Sequence, residues 1–428
     1  MTGPAPVGAL SGLRVLELCD EKGVYAGKLL ADMGADVVKV EPPGGDPTRR
    51  YPPFLNDDED PERSLWFWHY NTSKRGITLD LAHKRGRELF KQLAVRSDVV
   101  LESQPPGRMA EWGVDYGDVK AANPSLIWVA ITPFGRELPR SQEAATDLTL
   151  LAGGGPAWMN GYDDHSLPPV RGGGNQGYQT GCHYAFMALL VALVYRDVSG
   201  EGQFIDVNMH ASANVTTESG SHSWLVAQQT VQRQTGRHAA VRPTMPLQIR
   251  CADGGYVNTG IPPRRPGEFK AVYDWLESRG LLQQFDAAPI LLAAAAGEEI
   301  RLSQINEDEE TAAKFAAGRD AVTLIAGSLP AYEFFRDGQE RGFQFGIVYA
   351  PEEMLEDPHF RARGFPVEVE HPDLGRSYRY PGAPYKFEKS PWRITHSAPR
   401  LGEHNGRVYG ELGLSEEDLA QLRADGVV

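Results

Sequence analysis

Short apolar runs alternate with longer amphipathic stretches through the first half of the chain. The runs predict five β-strands, at residues 15–18, 37–40, 99–102, 126–131 and 204–207. The stretches between them predict helices, at residues 25–33, 85–95 and 181–196. Alternation of this kind is typical of a parallel sheet with helices on both faces, so the sequence predicts an α/β fold.

The pattern changes near residue 228. Residues 232–246 are polar and predict a linker or a long loop, whereas residues 251–260 predict a hairpin around Asp253. Amphipathic helices are expected at residues 269–282 and 312–329, on either side of an acidic stretch at 307–310. These elements indicate a second, smaller domain. In the remaining C-terminal part, residues 367–369 have the pattern of a strand.

Length and charge restrict the class of protein. The chain has 428 residues, which is enough for two domains with sizeable cores. Its 43 lysines and arginines against 57 aspartates and glutamates give a formal charge of −14. Nucleic-acid-binding and membrane-surface proteins need a basic face, so we expect neither kind of partner. The longest apolar run, residues 185–195, is too short to span a bilayer and predicts a buried helix.

The cysteines and the N-terminal residues bear on the compartment. Cys19, Cys182 and Cys251 are odd in number and widely spaced, which is typical of a reducing cytoplasm. They show no metal-ligand spacing, so we expect no metal. The start of the chain, MTGPAPVGALSG, has neither a basic beginning nor an apolar core, so we expect no signal peptide.

One loop of the predicted sheet is suited to a phosphate-bearing ligand. In LLADMGADVVKVEPPGGDPTRR, residues 29–50, a buried strand is followed by a Pro/Gly loop that Asp46, Arg49 and Arg50 close. Ligands of open α/β sheets lie outside the carboxyl ends of the strands. The first strand-to-helix turn, LCDEKGVYAG, lacks G-x-G-x-x-G, so a dinucleotide fingerprint is not supported.

Six blocks of sequence occur in an order that resembles one enzyme family. They are LSGLRVLEL, GADVVKVEPPGGD, NTSKRGITLDL, DVVLESQPPGRM, SGEGQFIDVNM, and the C-terminal pair RGFQFGIVYAPEEMLEDPHFRARGF and APRLGEHN. Together they resemble the family III coenzyme A transferases, the family of carnitine, bile-acid and formyl-CoA transferases and of 2-methylacyl-CoA racemases. The resemblance implies an α/β fold with a Rossmann-like large domain, a smaller α+β domain and an interlocked dimer of threaded subunits. It places the large domain at residues 1–220 and 335–428 and the small domain at 225–330, in agreement with the pattern along the chain.

The position of the family's nucleophile contains no carboxylate. Transferases of the family attack a thioester with an aspartate just ahead of the apolar helix, forming a mixed anhydride and then an aspartyl-CoA thioester, and an ionised carboxylate needs no base for this. The corresponding stretch, VRGGGNQGYQTGCHYAF, has no acidic residue. Alignment from the helix gives Gly177 or Tyr178, and alignment from Pro168 and Pro169 gives Asn175. Asn175 can hydrogen-bond a carbonyl but cannot form an anhydride, and its alternative role is that of a loop residue.

Asp147, in ATDLTLLAGGG, is the nearest alternative carboxylate. It matches a position where many family members carry an acid that lines the active site. Racemases of the family place a histidine before this acid, whereas Thr146 precedes it here, so racemase chemistry is not expected. Because an apolar run follows directly, Asp147 also fits a helix N-cap, and both chemistry and capping remain open.

The coenzyme A side departs from the family as well. Family members often carry an arginine four residues past the glycine of E-N-x-x-P-G, and Glu111 occupies that position here. The candidate partners of the coenzyme A phosphates are Arg49, Lys74, Arg75 and Arg108. Each of them has a surface or salt-bridge role as the alternative.

These departures favour a subunit that keeps the fold without the full chemistry. Two-component members of the family, succinyl-CoA:benzylsuccinate CoA-transferase among them, pair an aspartate-bearing subunit with a paralogue that lacks it, and this chain resembles the second. We expect a cytoplasmic CoA-transferase subunit, interlocked with itself or with an Asp-bearing paralogue, and acyl-CoA and a small carboxylic acid as substrates. Trp158, Met159 and Tyr162 favour an apolar or aromatic acid, although core packing explains them equally well. The alternatives are a self-sufficient homodimeric CoA-transferase that uses Asp147 and a non-catalytic acyl-CoA-binding scaffold protein.

Overall fold

A computed structural model describes residues 8–306 and 308–428 of the chain. The expectations for residues 1–7 and for Glu307 in the acidic stretch lie outside the described residues. The chain forms two compact units: residues 8–157, 171–218 and 358–428 belong to unit 1, and residues 158–170 and 219–357 belong to unit 2. The domain boundaries predicted from the sequence stay a prediction.

The strands form one large sheet and three small ones within the described ranges. The strands are β1 (Arg14–Leu18), β2 (Asp36–Glu41), β3 (Arg75–Thr78), β4 (Val99–Glu102), β5 (Ile127–Thr132), β6 (Phe204–Asn208), β7 (Gln232–Gln234), β8 (Arg237–Ala240), β9 (Gln248–Arg250), β10 (Tyr256–Asn258), β11 (Gly346–Val348), β12 (Pro366–His371) and β13 (Arg376–Pro381).

The helices carry most of the remaining regular structure. They are α1 (Val24–Asp32), α2 (Leu65–Tyr70), α3 (Lys84–Val95), α4 (Arg108–Glu111), α5 (Tyr116–Val119), α6 (Asp147–Gly154), α7 (Pro156–Met159), α8 (Gln176–Ser199), α9 (Met209–Val215), α10 (Glu218–Ala227), α11 (Pro266–Ser278), α12 (Ala288–Ala295), α13 (Glu309–Ser328), α14 (Ala331–Glu340), α15 (Pro351–Glu356), α16 (Pro358–Arg363), α17 (Asn405–Gly410) and α18 (Glu416–Ala424).

Unit 1 is built on a six-stranded parallel sheet in the order β3-β2-β1-β4-β5-β6. Its inner strands are buried on both faces, as a parallel sheet covered by helices requires. They are mainly apolar but include the buried charged residues Glu17, Lys39 and Glu102. The α/β fold predicted from the sequence is therefore confirmed. The strand order reverses direction between β1 and β4, and the crevice outside their carboxyl ends is the usual ligand position in such sheets.

Two hydrophobic clusters, one under each set of helices, hold the sheet of unit 1. One cluster includes Val15, Leu30 and Cys182, and the other includes Phe90 and Trp128, all of them buried. C-terminal residues complete the second cluster, which includes Val408 and Leu419. The end of the chain is thus part of the core of unit 1.

Unit 2 has its own core under a three-stranded antiparallel sheet, in the order β11-β10-β9. Trp275 of α11 stacks on Phe334 of α14 with ring centroids 5.2 Å apart, and both rings are buried. The prediction of a linker at residues 232–246 is wrong over its first part, because β7 and β8 form an antiparallel hairpin there. Its turn has Gly236 at φ +65, and its strands are polar, so apolar alternation gave no sign of them.

Helix α8 differs from its prediction in length and in burial. It begins at Gln176 instead of residue 181, because its first turn is polar and carries no apolar signal. Val191, Val194 and Val198 are 70%, 66% and 87% exposed, so the prediction of a buried helix is wrong for this face. By length and composition α8 is the one described helix that could cross a membrane, but core helices of water-soluble proteins meet the same criterion.

Candidate active site

The N-terminus of α8 and the first turn of α6 meet at the Asp147 carboxylate. Oδ1 of Asp147 accepts hydrogen bonds from the backbone N–H groups of Gly177 and Tyr178, at 2.8 and 3.1 Å. The N-cap of α6 is Thr146, whose hydroxyl accepts from the N–H of Thr149. Asp147 therefore caps α8, which lies 30 residues further along the chain, instead of its own helix.

The second oxygen of Asp147 faces Arg171. Oδ2 lies 3.3 Å from Nη1 of Arg171, which also donates to the carbonyl oxygens of Gly172 and Gly174 at 3.1 and 2.6 Å. This arginine thereby links the glycine loop that precedes α8 to the Asp147 carboxylate. The Asp147 side chain is 8% exposed and the Arg171 side chain is 37% exposed. Both carboxylate oxygens are thus engaged, one by a helix terminus and one by a cation.

Asn175 lies at the same helix end. It is the N-cap of α8, but its side chain makes no capping hydrogen bond. It faces the hydroxyl of Tyr70, which accepts a hydrogen bond from Nε2 of Gln179 at 3.1 Å. Burial raises the pKa of Tyr70, so the phenol stays protonated at neutral pH. The structure therefore brings Asp147 and Asn175, the two predicted catalytic candidates, to one place.

Aromatic rings extend from this helix end and form a wall that the sequence pattern did not predict. Trp66 lies 4.4 Å from Tyr70 and 5.4 Å from Tyr51 between ring centroids, and Tyr25 lies 5.9 Å from Tyr70. Rings at these distances offer an apolar surface to a substrate. The signal in the sequence was the aromatic run LWFWHY, which has the composition of an ordinary core helix.

Two carboxylates, Asp20 and Glu102, lie at the carboxyl ends of β1 and β4. Asp20 pairs with Lys22, and its carboxylate accepts a hydrogen bond from the hydroxyl of Ser103 at 2.8 Å. Oε2 of Glu102 accepts from the N–H of Gln104 at 2.7 Å. Burial raises the pKa of Glu102 to about 7. Lys22 neutralises Asp20, and the Arg136 cation acts on Glu102 against the effect of burial, so these residues carry charges of both signs.

We expect Glu102→Gln to stabilise the protein in mildly alkaline solution. The folded carboxyl has a pKa of about 7, above the ~4.3 of an unfolded glutamate, so its contribution to stability is present below about pH 4 and is lost as the pH rises through 7. The variant should raise the free energy of unfolding at pH 8 by about 1–3 kcal/mol. Urea unfolding at pH 5 and pH 8 measures this, with the exposed Glu368→Gln as control. An equal pH dependence of wild type and variant would contradict it.

Arg49, one of the predicted phosphate partners, donates its hydrogen bonds to other residues of unit 1. It is 2% exposed, and its Nε and Nη2 form two parallel hydrogen bonds to Glu41 at 2.6 and 2.8 Å. Nη1 donates to Glu62 at 3.0 Å, and the guanidinium lies 3.9 Å from the centroid of the Phe67 ring. Paired bonds of this geometry are strong, so the contacts favour a structural role.

Lys74 and Arg75 are paired in the same way. Lys74 is fully buried, 2.8 Å from a carboxylate oxygen of Glu17, and burial lowers its pKa. Arg75 pairs with Asp36 and Glu411. Neither cation turns its charged group to solvent, so their role at a phosphate stays a prediction without support from the geometry.

Arg108 is the accessible member of the four predicted phosphate partners. Its side chain is 46% exposed on α4 and lies 3.2 Å from Glu111, one turn along the same helix. An exposed pair of this kind contributes little to stability and opens easily. Among the described residues, no group of three or more His, Cys, Asp or Glu side chains is placed to hold a metal ion.

Known proteins match this chain over nearly its whole length. The sequence profile of CoA-transferase family III matches residues 10–405. The chain is 30% identical to the succinyl-CoA:(R)-benzylsuccinate CoA-transferase subunit BbsE of Thauera aromatica, over 98% of each chain. It is 31% identical to succinyl-CoA–D-citramalate CoA-transferase of Chloroflexus aurantiacus, over 100% of each chain, and 32% identical to formyl-CoA:oxalate CoA-transferase of Streptomyces coelicolor, over 98% of this chain and 99% of that one.

Solved structures show the same fold. A CAIB/BAIF family protein from Brucella suis superposes with a TM-score of 0.76 and 25% identity, over 95% of this chain and 100% of that one. Rv3272 from Mycobacterium tuberculosis superposes with a TM-score of 0.72 and 23% identity, over 94% of this chain and 99% of that one.

Proposed function

The chain belongs to CoA-transferase family III, and we propose that it is the subunit of a two-component transferase that lacks the nucleophilic aspartate. Transferases of this family move coenzyme A between an acyl-CoA and a carboxylic acid, so acyl-CoA is the substrate that supplies the group. The name of the Thauera relative, a subunit of a benzylsuccinate CoA-transferase, supports a two-component enzyme.

The state of Asp147 carries the proposal. The stretch at residues 170–186 contains no acid, and Asp147 is the carboxylate that reaches the start of α8 from outside it. A nucleophilic carboxylate needs a free oxygen aimed at the thioester carbonyl. Here Oδ1 accepts hydrogen bonds from two helix N–H groups, and Oδ2 pairs with Arg171. The Asp147 side chain is only 8% exposed. Attack would break the ion pair and place an acyl group on a helix cap.

The remaining features of the site fit a supporting subunit. The aromatic wall of Tyr25, Tyr51, Trp66 and Tyr70 offers an apolar surface to an acid. Three of the four candidate phosphate partners, Arg49, Lys74 and Arg75, pair with carboxylates of this chain instead. In this proposal the partner subunit holds coenzyme A and forms the covalent intermediate. The acids in the relatives' names, benzylsuccinate, citramalate and oxalate, each have two carboxylates, which favours a small dicarboxylic acid here as well.

The proposed assembly is an interlocked heteromer in the cytoplasm. A stripe of apolar side chains follows the outer face of α8: Met187, Val191, Val194 and Val198 are 49%, 70%, 66% and 87% exposed. Their spacing of three to four residues puts them on one face of the helix. A continuous apolar stripe on a charged chain supports contact with a partner subunit.

Reconstitution tests the proposal. The purified chain should not transfer coenzyme A from succinyl-CoA to benzylsuccinate, citramalate or oxalate, whereas co-expression with an Asp-bearing paralogue should give transfer. A paralogue with that aspartate changed to asparagine is the control and should be inactive in the same complex. Transfer by this chain alone would contradict the proposal.

The second candidate is a self-sufficient homodimeric transferase that uses Asp147. The exposure of Arg171, 37% for its side chain, favours it, because a solvent-accessible partner can move away and release Oδ2. If the chain alone transfers coenzyme A and Asp147→Asn abolishes this, that candidate is correct. A third candidate, a non-catalytic acyl-CoA-binding scaffold protein, requires acyl-CoA binding by the chain and inactivity in every complex.

We expect no racemase activity from this chain. A racemase needs an acid and a base beside the α-carbon of the acyl-CoA. The residue before Asp147 is Thr146, whose hydroxyl caps α6, and Asp147 itself is engaged by α8. A 2-methylacyl-CoA incubated with the protein in heavy water should show no α-deuterium by mass spectrometry, and rapid exchange would overturn this assignment.

A further inference from the structure

Arg233, on β7 in unit 2, is a buried cation without a counter-ion. It is 6% exposed, and it makes no ion pair within 4.0 Å with any carboxylate of the described residues. Its Nη2 donates to the carbonyl oxygens of His165 and Leu167, at 3.3 and 2.9 Å. Its Nε is buried and has no hydrogen-bond partner. A guanidinium carries five N–H donors, so this group is left under-satisfied.

Other arginines with buried side chains in this protein have carboxylate partners. On the same hairpin, Nη1 and Nη2 of Arg237 hold both oxygens of Asp163, at 2.9 and 2.8 Å. In unit 1, Arg49 has Glu41 and Glu62 as partners. A buried charge without a partner is strongly unfavourable. The missing carboxylate at Arg233 therefore indicates that an anion from outside the described residues pairs with its guanidinium.

Arg233 lines a cavity that has the size of a ligand site. The cavity has a volume of about 680 Å³, within the range of small-molecule sites. Its lining includes Trp158, Pro168, Pro169 and Val231, which supply an apolar surface next to the guanidinium. The indole of Trp158 is 58% exposed, and its ring centroid lies 5.6 Å from Cζ of Arg233. A cation beside an open aromatic face suits an anion that carries an apolar body.

The loop around the cavity leaves space for this arginine. Gly161 has φ +146, and a Cβ at this position would lie 2.7 Å from Cδ of Arg233. A larger residue there would displace the arginine stem. Nε2 of His165 lies 3.1 Å from the backbone oxygen of Arg233 and joins the loop to the strand. Loop and strand thus hold the guanidinium in one position against the cavity.

We propose that this cavity binds the carboxylate of an organic acid with an aromatic or branched apolar body. Arg233 pairs with the carboxylate through Nη1, because Nη2 already donates to the carbonyl oxygens of His165 and Leu167 and Nε is buried. Trp158 and Pro168 contact the apolar body. The inference goes beyond the proposed function, because the cavity lies in unit 2 whereas Asp147 and the aromatic wall lie in unit 1. Binding itself needs neither coenzyme A nor transfer.

Calorimetric titration of the full-length protein, alone and in its complex, tests this site. The probes are 3-phenylpropionate and its neutral amide. We expect the acid to bind at least about 30-fold more tightly than the amide, because the amide leaves the guanidinium unpaired. Arg233→Lys should weaken acid binding about tenfold, because an ammonium cannot keep the bonds to the carbonyl oxygens of His165 and Leu167 and also present a donor at the position of Nη1. Arg237→Lys, on the same hairpin but paired with Asp163, is the matched control and should bind like wild type.

A second variant keeps the test valid if changes at Arg233 disturb folding. Trp158→Leu alters an exposed side chain, and it should weaken binding of 3-phenylpropionate while leaving the preference for acetate over acetamide unchanged. Equal binding of acid and amide, or no acid binding in the complex because a partner's carboxylate fills the cavity, would overturn the inference. Acid binding without transfer in any complex would instead contradict the proposed function and leave this site intact.

Discussion

We expect Val194→Asp in α8 to dissociate the proposed assembly of subunits. Val194 is 66% exposed in the single chain and lies between Val191 and Val198, which are 70% and 87% exposed. On a free surface such a change alters the free energy of unfolding by less than about 0.5 kcal/mol. Under a partner subunit it buries an unpaired carboxylate, which costs several kcal/mol. We therefore expect sedimentation velocity to show an assembled wild type and a dissociated or aggregated variant.

The control for this change is Leu292→Asp. Leu292 lies on α12 of unit 2 and is 42% exposed, so it tests the same substitution at another apolar surface position. It should leave the sedimentation coefficient unchanged. A wild type that stays a folded monomer at every concentration would contradict the interlocked assembly, since threaded subunits bury far more surface than an ordinary interface.

Asp147→Ala will destabilise unit 1 strongly. The change removes the acceptor of two N–H groups at the start of α8, a helix of 24 residues that packs on the sheet. The freed N–H groups of Gly177 and Tyr178 are in buried residues, where an unsatisfied donor is expensive. We expect a loss of about 2–4 kcal/mol in the free energy of unfolding, measured by urea unfolding monitored by circular dichroism.

Two further variants separate capping from chemistry. Asp147→Asn keeps an acceptor oxygen and should lose only about 1 kcal/mol. Asp308→Ala removes the exposed cap of α13, where water replaces the lost hydrogen bond, so its loss should be much smaller than that of Asp147→Ala. If Asp147→Ala is as stable as wild type, the carboxylate does not stabilise α8, and the candidate function in which Asp147 is the nucleophile gains support.

The fold was predictable where local pattern and tertiary structure agree. Strand β5 is apolar on both faces, and β1 is apolar at Val15, Leu16 and Leu18, so their runs identified them directly. β3, with the sequence RGIT, was missed because its burial comes from neighbouring elements, and only one of its residues is a large apolar side chain. The exposure of the stripe on α8 could not be predicted, because apolar composition does not distinguish a buried helix face from an exposed one.

The candidate site was less predictable, because its contacts join distant parts of the chain. The sequence identified Asp147 and Asn175 but could not show that Asp147 caps a helix 30 residues away. It assigned Arg49 to phosphate, whereas the acids that pair with it, Glu41 and Glu62, become visible only in three dimensions. The unpaired state of Arg233 is likewise a property of the folded chain, since no sequence pattern reports a missing partner.

Intact-mass measurement after acid quenching tests most directly whether this chain lacks the nucleophile. The purified chain is mixed with succinyl-CoA, quenched and weighed, and the same is done with its complex with an Asp-bearing paralogue. We predict no adduct of the mass of coenzyme A on this chain in either sample, and an adduct on the paralogue in the complex. An adduct on this chain alone that disappears in Asp147→Asn would contradict the proposal and assign the nucleophile to Asp147.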